Sequence, residues 1–248
     1  MNCRIRKGNK GSLIYAQMKE MAVNYRFRPG ERLQPADLAR RLGVSHIPVR
    51  EALTQLYGET LIMARTNHGF FAKTLTLDEM LGLYELAFLV LKHSIEKNVA
   101  SFSMTGMSKP MELEWNRDGR LTNATSEFYR SHAMFIEQLY DRVALLSGNP
   151  VMVDVVRSFN DRTRFIRLLD LESARNIAEI AEDIFGLIDA LVSQDAAAAA
   201  TNLKRQFDKK RGRLPDLVKE GIARTTLNAF LPGPTTGRSS ETLIEPNR

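Results

Sequence analysis

The sequence predicts a mainly α-helical protein, in which a small N-terminal unit of helices and a hairpin is followed by an all-α helical bundle. Two short amphipathic helices flank a glycine turn near residue 43, and two short strands follow them. From residue 76 onward, apolar residues recur at three- and four-residue spacing with almost no strand pattern. The 248 residues suffice for two modest domains, so we expect one at residues 1–75 and one at 76–230.

The segment around Gly43 predicts two helices joined by a tight turn. Pro35 suits the first position of a helix, and Gly43 suits the left-handed residue that ends it. Ser45 then suits the N-cap of a second helix over residues 46–57. Pro48 is tolerated there because a proline in the first turn gives up no intrahelical hydrogen bond. The helix-turn-helix leaves one face of its second helix free for a partner.

Residues 61–65 and 70–73 predict two strands around a Thr-Asn-His-Gly turn, which form a wing beside the second helix. An ordinary surface hairpin is the alternative for this segment alone. Hydroxyl, imidazole and guanidinium groups suit phosphates and base edges, and an apolar side chain suits a thymine methyl group. The residues predicted to contact DNA are Arg40, Ser45, His46, Ile47, Pro48, Arg50, Thr54, Arg65, Asn67, His68 and Gly69.

Basic charge is concentrated in the first third of the chain. Residues 1–75 contain 13 Lys+Arg and 5 Asp+Glu, a balance of +8, whereas the remainder contains 22 and 24, a balance of −2. Binding to DNA releases counterions in proportion to the phosphates that are neutralised. A basic unit joined to a nearly neutral one therefore favours a DNA-binding protein.

These motifs resemble the winged helix-turn-helix of the GntR family of bacterial transcriptional regulators. The matching positions are Pro29, Gly30, Leu33, residues 38–39, residues 42–45, residues 48–53, Leu56 and residues 61–62. Two positions depart from the family pattern: His46 stands where arginine is frequent, and Thr60 stands where glycine precedes Leu61. The resemblance implies a dimeric, sequence-specific regulator that binds a pseudo-palindromic operator, represses transcription and is released by a small-molecule effector.

The second half has sequence anchors at residues 77–86, 147–149 and 190–199, and it resembles the FCD effector domain of the FadR-type branch of that family. Helices are expected over residues 77–102, 122–146, 150–168, 173–193, 195–210 and 215–227. Residues 231–248, rich in Thr, Ser, Gly and Pro, are expected to be a disordered tail.

Many FCD domains hold a divalent metal with an aspartate and three histidines, and grip a carboxylate effector with an arginine. In the family's register the four ligand positions fall on Ile136, Tyr140, Ile184 and Gln206, and the arginine position falls near Ala87. The chain therefore retains none of these ligands. We expect neither a metal nor another cofactor.

The four histidines of the chain agree with this expectation. His46 and His68 belong to the predicted DNA-binding unit, which leaves only His93 and His132 for the helical domain. A three-histidine site within one protomer is thus excluded. Because no converging carboxylates are evident, both remaining histidines are expected at the surface or at the edge of the core.

A metal-free branch of the family binds apolar acyl thioesters, so the resemblance implies an apolar or amphipathic effector. A domain that dimerises without any ligand is the alternative, and most of the candidate residues are then simply core. Arg164 either anchors an anionic group or belongs to a solvated basic face. The residues expected to contact an effector are Leu83, Ala87, Tyr129, Ile136, Tyr140, Asn160, Arg164, Ile184 and Gln206.

Two other functions are alternatives to an effector-controlled regulator. An enzyme is disfavoured because the chain has no Gly-rich phosphate loop and no nucleophile elbow, and Cys3 lies in a polar leader. A constitutive DNA-bound scaffold that recruits another protein fits the same sequence.

The sequence favours a cytoplasmic protein without a membrane span. It has a lone cysteine, no signal peptide and no apolar run of about 20 residues.

Overall fold

The structure is a computed structural model that describes residues 5–107, 110, 112, 122 and 124–230, so the expected tail at 231–248 lies outside the described residues. The fold is mainly α, as predicted. Its elements in chain order are α1 (Ile5–Val23), α2 (Pro35–Leu42), α3 (His46–Gly58), β1 (Ile62–Arg65), β2 (Gly69–Ala72), α4 (Leu77–Asn98), a 3₁₀ turn (Val99–Ser101), α5 (Ser126–Leu145), α6 (Pro150–Leu171), α7 (Ala174–Val192) and α8 (Ala196–Phe230).

The helix-turn-helix forms as its sequence predicts. Pro35 is the first residue of α2, and Gly43 ends that helix with a φ of 67°. Ser45 has the extended backbone of an N-cap, but its side chain makes no capping hydrogen bond. Ser45 therefore occupies the predicted N-cap position, but the hydrogen bond typical of an N-cap side chain does not form. The hydroxyl of Ser45 is exposed at the start of α3.

Helix α1 was not expected from the sequence. Its first half is polar and contains two glycines, which hides the helical pattern. The signal lies in the second half, where Ile14, Met18 and Ala22 recur every four residues and are all buried. This stripe packs against α3 and completes the core of the N-terminal unit. Tertiary packing thus stabilises a helix that has a weak intrinsic propensity.

The wing is a two-stranded antiparallel hairpin in which Ile62 pairs with Ala72 and Arg65 with Gly69. Both strands are within one residue of their predicted bounds. The turn uses left-handed backbone at Asn67 and Gly69, where φ is 61° and 86°. The segment before α2 extends the hairpin through a bridge between Arg32 and Phe71. The wing is therefore fixed to the body of the unit and is more than an isolated hairpin.

In the helical half, α4 packs against α5, α6 and α8, while α5 packs on α6 and α7 on α8. The prediction of two helices over 195–227 was wrong, because α8 runs unbroken through Pro215. A proline inside a helix costs about 3 kcal/mol. Here Leu214, Leu217 and Val218 beside it are all buried in the core. Their burial offsets the lost hydrogen bond and keeps the helix continuous.

The other helices of this half lie close to their predicted bounds. Helix α4 ends at Asn98, and the predicted continuation to residue 102 is the short 3₁₀ turn instead. Helix α6 extends to Leu171, three residues beyond its predicted end, because Leu169 and Leu171 are both buried. Periodicity located each helix, whereas burial decided its last turn.

The end of α3 contains a strained residue. Thr60 has a φ of 58°, a left-handed conformation that β-branched residues rarely adopt. Its N–H donates to the carbonyl of Tyr57 at 2.9 Å, and the N–H of Leu61 donates to the carbonyl of Leu56 at 3.0 Å. This helix-ending pattern usually has glycine at the left-handed position. The departure from the family pattern at Thr60 thus has a structural cost.

We expect Thr60→Gly to raise the free energy of unfolding by about 1 kcal/mol, because relief of backbone strain exceeds the added freedom of the unfolded chain. Urea denaturation measures this change. Thr54→Gly is the matched control, since Thr54 is exposed in the interior of α3 and glycine there should lower the stability by a few tenths of a kcal/mol. Equal destabilisation by both substitutions would contradict strain at Thr60.

Candidate DNA-binding surface and helical-domain cavity

Helix α3 has one buried face and one exposed face. Val49, Leu53 and Leu56 are buried and fix the helix on the core. The opposite face exposes Ile47, with 59% of its surface accessible, and Arg50. These positions follow one another at helical spacing, so they form a continuous strip on the outside of the N-terminal unit.

All eleven residues predicted to contact DNA are exposed, except that Pro48 is half-buried. Arg40 lies on α2, and the others lie on α3, on the turn before it and on the wing. At the wing, the guanidinium of Arg65 lies 4.5 Å from the centre of the Phe71 ring, which holds it against the hairpin. Arg40 forms an exposed ion pair with Asp37 at 3.1 Å. The structure thus exposes these side chains, and their contact with DNA remains a prediction.

The helical domain contains a largely enclosed cavity of about 50 Å³ among α4, α5, α6, α7 and α8. Its lining combines aromatic, aliphatic and charged side chains: Tyr84, Ile136, Tyr140, Arg167, Leu171, Ile180, Asp183, Ile184, Gln206, Phe207, Lys209, Lys210 and Arg213. Four of the nine residues predicted to contact an effector are among them, namely Ile136, Tyr140, Ile184 and Gln206. These four are also the positions that the family register assigns to metal ligands.

The other five predicted effector residues lie elsewhere. Leu83 and Ala87 are buried in the core of α4 and do not line the cavity. Tyr129 is half-buried and packs on Phe128. Asn160 and Arg164 line a separate, wider cleft between α1, α5 and α6.

The sequence reasoning missed the charged residues and one tyrosine of the cavity. The buried hydroxyl of Tyr84 lies near the side chain of Thr163 but too far from it for a regular hydrogen bond. Burial raises the pKa of Tyr84 to about 12, although Arg167 and Thr163 act to lower it. Tyr140 makes only a long bond of 3.4 Å to Oε1 of Gln206, and burial also raises its pKa. The only sequence signal for Arg167 and Lys210 was a charged residue at a core-facing position of an amphipathic helix.

Arg167 is one of the most buried charges of the protein, with 3% of its surface exposed. Its guanidinium donates to Oε1 of Glu137 at 2.7 Å, to Oγ1 of Thr163 at 3.1 Å and to Oδ1 of Asn160 at 3.2 Å. Lys210 is paired with the fully buried Asp170, and burial lowers the pKa of this lysine. Both cations are thus held in place by the protein itself.

A smaller apolar recess of about 20 Å³ adjoins the cavity and shares Ile136, Leu171, Ile180 and Ile184 with it. His132 lines this recess with Phe135, Ile177 and Phe185, among others. The imidazole of His132 is 6% exposed and packs on Phe128 with the ring centres 4.3 Å apart. His93 is exposed. The expected place at the surface or core edge therefore fits His93, whereas His132 is inside the core.

The residues present do not fit the metal of other FCD domains. Ile136 and Ile184 offer no ligand atom, and Tyr140 and Gln206 are poor substitutes for carboxylate and imidazole. No group of three or more His, Cys, Asp or Glu side chains converges as a metal site within residues 5–107 and 124–230.

Polar contacts join the two halves of the chain. Lys19 on α1 contacts Asp161 of α6 at 2.7 Å and Glu59 at 3.0 Å. Burial disfavours the charged form of Lys19, but these two carboxylates outweigh it and raise its pKa. Glu79, at the start of α4, accepts from Lys73 beside the wing and from Arg162 of α6. The N-terminal unit is thus tied to α6 at two points.

Known proteins share both halves of this arrangement. Residues 11–72 match the family described as bacterial regulatory proteins of the gntR family, and residues 119–209 match the FCD domain. The Nta operon transcriptional regulator of Aminobacter aminovorans is 31% identical over 192 residues, which are 76% of this chain and 89% of that protein. The chain belongs to the GntR family. Its FCD domain places it with the regulators expected from the sequence.

Further relatives agree with this GntR assignment. YdhC of Bacillus subtilis (strain 168), an uncharacterized HTH-type transcriptional regulator, is 25% identical over 84% of this chain and 92% of that protein. A putative GntR transcriptional regulator from Rhodococcus sp. RHA1 has the same fold, with a TM-score of 0.65, 20% identity and coverage of 84% of this chain and 98% of that chain. The relatives are transcriptional regulators, so this GntR protein is a DNA-binding transcriptional regulator and not an enzyme. Among the described helices, none is long and apolar enough to cross a membrane.

We expect Arg50→Ala to weaken operator binding by about tenfold or more, because the exposed guanidinium is placed to contact a phosphate or a base edge. Fluorescence anisotropy with a labelled operator fragment at one fixed salt concentration measures the affinity. Arg130→Ala is the matched control, since Arg130 is exposed on α5, outside the residues predicted to contact DNA, and its loss removes the same charge. Equal affinities of the two variants would remove Arg50 from the DNA contacts.

The burial of His132 predicts a pH dependence of stability. Burial lowers its pKa below the ordinary value of 6.5. At a pH between the lowered pKa of folded His132 and the ordinary 6.5 of the unfolded chain, only the unfolded chain binds the proton. The contribution of His132 to the free energy of unfolding is therefore complete above pH 6.5 and decreases as the pH falls below it. The loss is at most about 1.4 kcal/mol per pH unit.

Thermal or urea unfolding at pH 7.5 and pH 5.5 measures this loss. His132→Phe keeps a ring against Phe128 and should reduce the difference between the two pH values. His93→Gln, which changes an exposed histidine, should leave the difference as it is. An identical pH difference in His132→Phe and the unaltered chain would show that His132 does not cause it.

Proposed function

We propose that this GntR regulator binds a pseudo-palindromic operator as a homodimer, represses transcription, and releases the DNA when a small molecule occupies the cavity of its FCD domain. The observation that supports this most directly is the position of α6. This helix lines the cavity with Arg167 and contacts the DNA-binding unit with Asp161. One rigid element therefore lies between the two sites.

A continuous set of ion pairs supports communication along this path. Glu137 of α5 accepts from Arg167 at 2.7 Å and from Arg164 at 2.7 and 2.9 Å. Arg164 also contacts Asp161 at 3.4 Å, and Asp161 holds Lys19 of α1. A ligand that changes the position of Arg167 changes the partners available to Glu137 and Arg164. It thereby favours a different placement of the DNA-binding unit.

Exposed apolar side chains support a homodimer. On α4, Leu86 and Leu89 are 48% and 57% exposed and lie one turn apart. A strip of this kind on a helix is suited to burial against the same strip of a second copy, in a two-fold interface. Two DNA-binding units held in this way reach successive major grooves when their two α3 helices are about 34 Å apart.

Selection of genomic fragments by the purified full chain, at a low and a high salt concentration, tests this function. We expect one short palindrome to be enriched at both salt concentrations, because specific contacts survive after counterion release has lost its driving force. Footprints of both half-sites would show that one dimer covers the palindrome.

Binding that disappears at the higher salt and shares no sequence would contradict an operator-reading regulator. It would favour the alternative in which the chain is a DNA-bound scaffold that recruits a protein partner. The cavity of about 50 Å³ supports this scaffold alternative, because the sites of drug-sized ligands measure about 300–1,000 Å³.

A further inference from the structure

We propose that Glu51 determines part of the operator sequence, because its carboxylate accepts a hydrogen bond from the N4 amino group of a cytosine in each half-site. Glu51 is not among the eleven residues predicted to contact DNA. This inference rests on the proposed function, because it takes the outer face of α3 to lie in the major groove of the operator. It identifies one side chain by which this protein distinguishes one base from the other three.

Glu51 lies in the middle of the outer face of α3. The buried residues Val49 and Leu53 are each two positions away, and residues two apart point in roughly opposite directions on a helix. Ile47, Glu51 and Thr54 follow one another at four- and three-residue spacing, and all three are exposed. They form the stripe of α3 that points away from the core.

Glu51 shares a surface groove with four of the residues predicted to contact DNA. This groove runs along α3 and is open to solvent. The side chains that border it are His46, Ile47, Arg50, Glu51, Thr54 and Gln55. A base edge that reaches Ile47 or Thr54 is therefore also within reach of Glu51.

The protein itself does not neutralise the carboxylate of Glu51. Residues 1–75 contain five acidic residues, and four of them lie within 4.0 Å of a basic side chain: Glu20 with Arg164, Glu31 with Arg41, Asp37 with Arg40, and Glu59 with Lys19. Among the described side chains, none forms an ion pair or a hydrogen bond with the carboxylate of Glu51. The residues one turn away on α3 are all uncharged, namely Ile47, Pro48, Thr54 and Gln55.

An unpaired carboxylate on a DNA-binding face is repelled by the phosphates. It is stabilised only where a base presents a hydrogen-bond donor. In the major groove, guanine presents N7 and O6 and thymine presents O4, which are all acceptors, whereas cytosine presents its N4 amino group. Adenine presents an amino group beside the acceptor N7, which repels the second carboxylate oxygen. Glu51 therefore favours cytosine, in part by repelling the other three bases.

The other two members of the stripe cannot make this distinction. Ile47 offers only an aliphatic surface, which suits the methyl group of thymine. The hydroxyl of Thr54 donates to the carbonyl of Arg50 at 3.0 Å, so its hydrogen is already used within α3. Glu51 is thus the member of the stripe that distinguishes a C·G from a T·A pair.

Selection from a randomised DNA library by the full chain and by two variants tests this inference. We expect the unaltered chain to select cytosine at one position in each half-site. Glu51→Ala should lose the preference at that position and keep the others. Glu51→Gln should select adenine there, because an amide pairs with both N6 and N7 of adenine.

Fluorescence anisotropy at one fixed salt concentration measures the size of the effect. The two DNA fragments are the selected site and the same site with the C·G pair replaced by T·A. We expect the unaltered chain to prefer the selected site by about tenfold, and Glu51→Ala to bind both fragments about equally.

Asp37→Asn is the matched control. It removes one carboxylate from the same unit, but from α2, where Asp37 is paired with Arg40. Its base preferences should equal those of the unaltered chain. Thermal unfolding should show that both Glu51 variants remain folded, since the side chain is exposed and makes no contact that they would lose.

Identical base preferences in Glu51→Ala and the unaltered chain would overturn the inference. Selection of any base other than cytosine at the position that Glu51→Ala alters would also overturn it. In both cases a selected palindrome would still support the proposed function. An unaltered chain that selects no sequence would contradict the proposed function and this inference together.

Discussion

The buried contact of Glu137 with two guanidinium groups is the interaction on which the rest of the helical domain depends. Glu137 is 9% exposed, and it accepts from Arg167 on the cavity side and from Arg164 on the side of α1. Removing one partner of a buried ion pair costs about 3–5 kcal/mol, because the remaining charge is left uncompensated. This constraint fixes α5 against α6 and fixes the directions of both arginines.

The two functional regions follow from that constraint. Arg167 is held at the cavity wall by Glu137, which neutralises its charge. Arg164 is held on the opposite side, where it meets the acidic residue that binds Lys19 of the DNA-binding unit. One set of ion pairs thus joins the cavity wall to the DNA-binding unit.

At three places the local conformational preference of the sequence differs from the observed structure, and apolar packing determines the structure at each of them. Helix α1 forms on the buried stripe of Ile14, Met18 and Ala22 despite its polar first half. Helix α8 continues through Pro215 because its neighbours are in the core. Thr60 adopts a left-handed backbone because Leu61 must enter the core directly after α3. Each case is a local cost offset by apolar burial elsewhere.

The sequence alone determined the class of the fold, the helix-turn-helix with its wing, and the surface predicted to contact DNA. These features depend on periodicity and on Pro35 and Gly43 at helix ends, which act over a few residues, and on charge segregation, which needs no contact between distant residues. The family resemblance, through its register, also pointed to Ile136, Tyr140, Ile184 and Gln206. Only the tertiary structure showed that Tyr84, Arg167 and Lys210 meet these four at one cavity, since they come from different helices and a buried charge depends on partners distant in sequence.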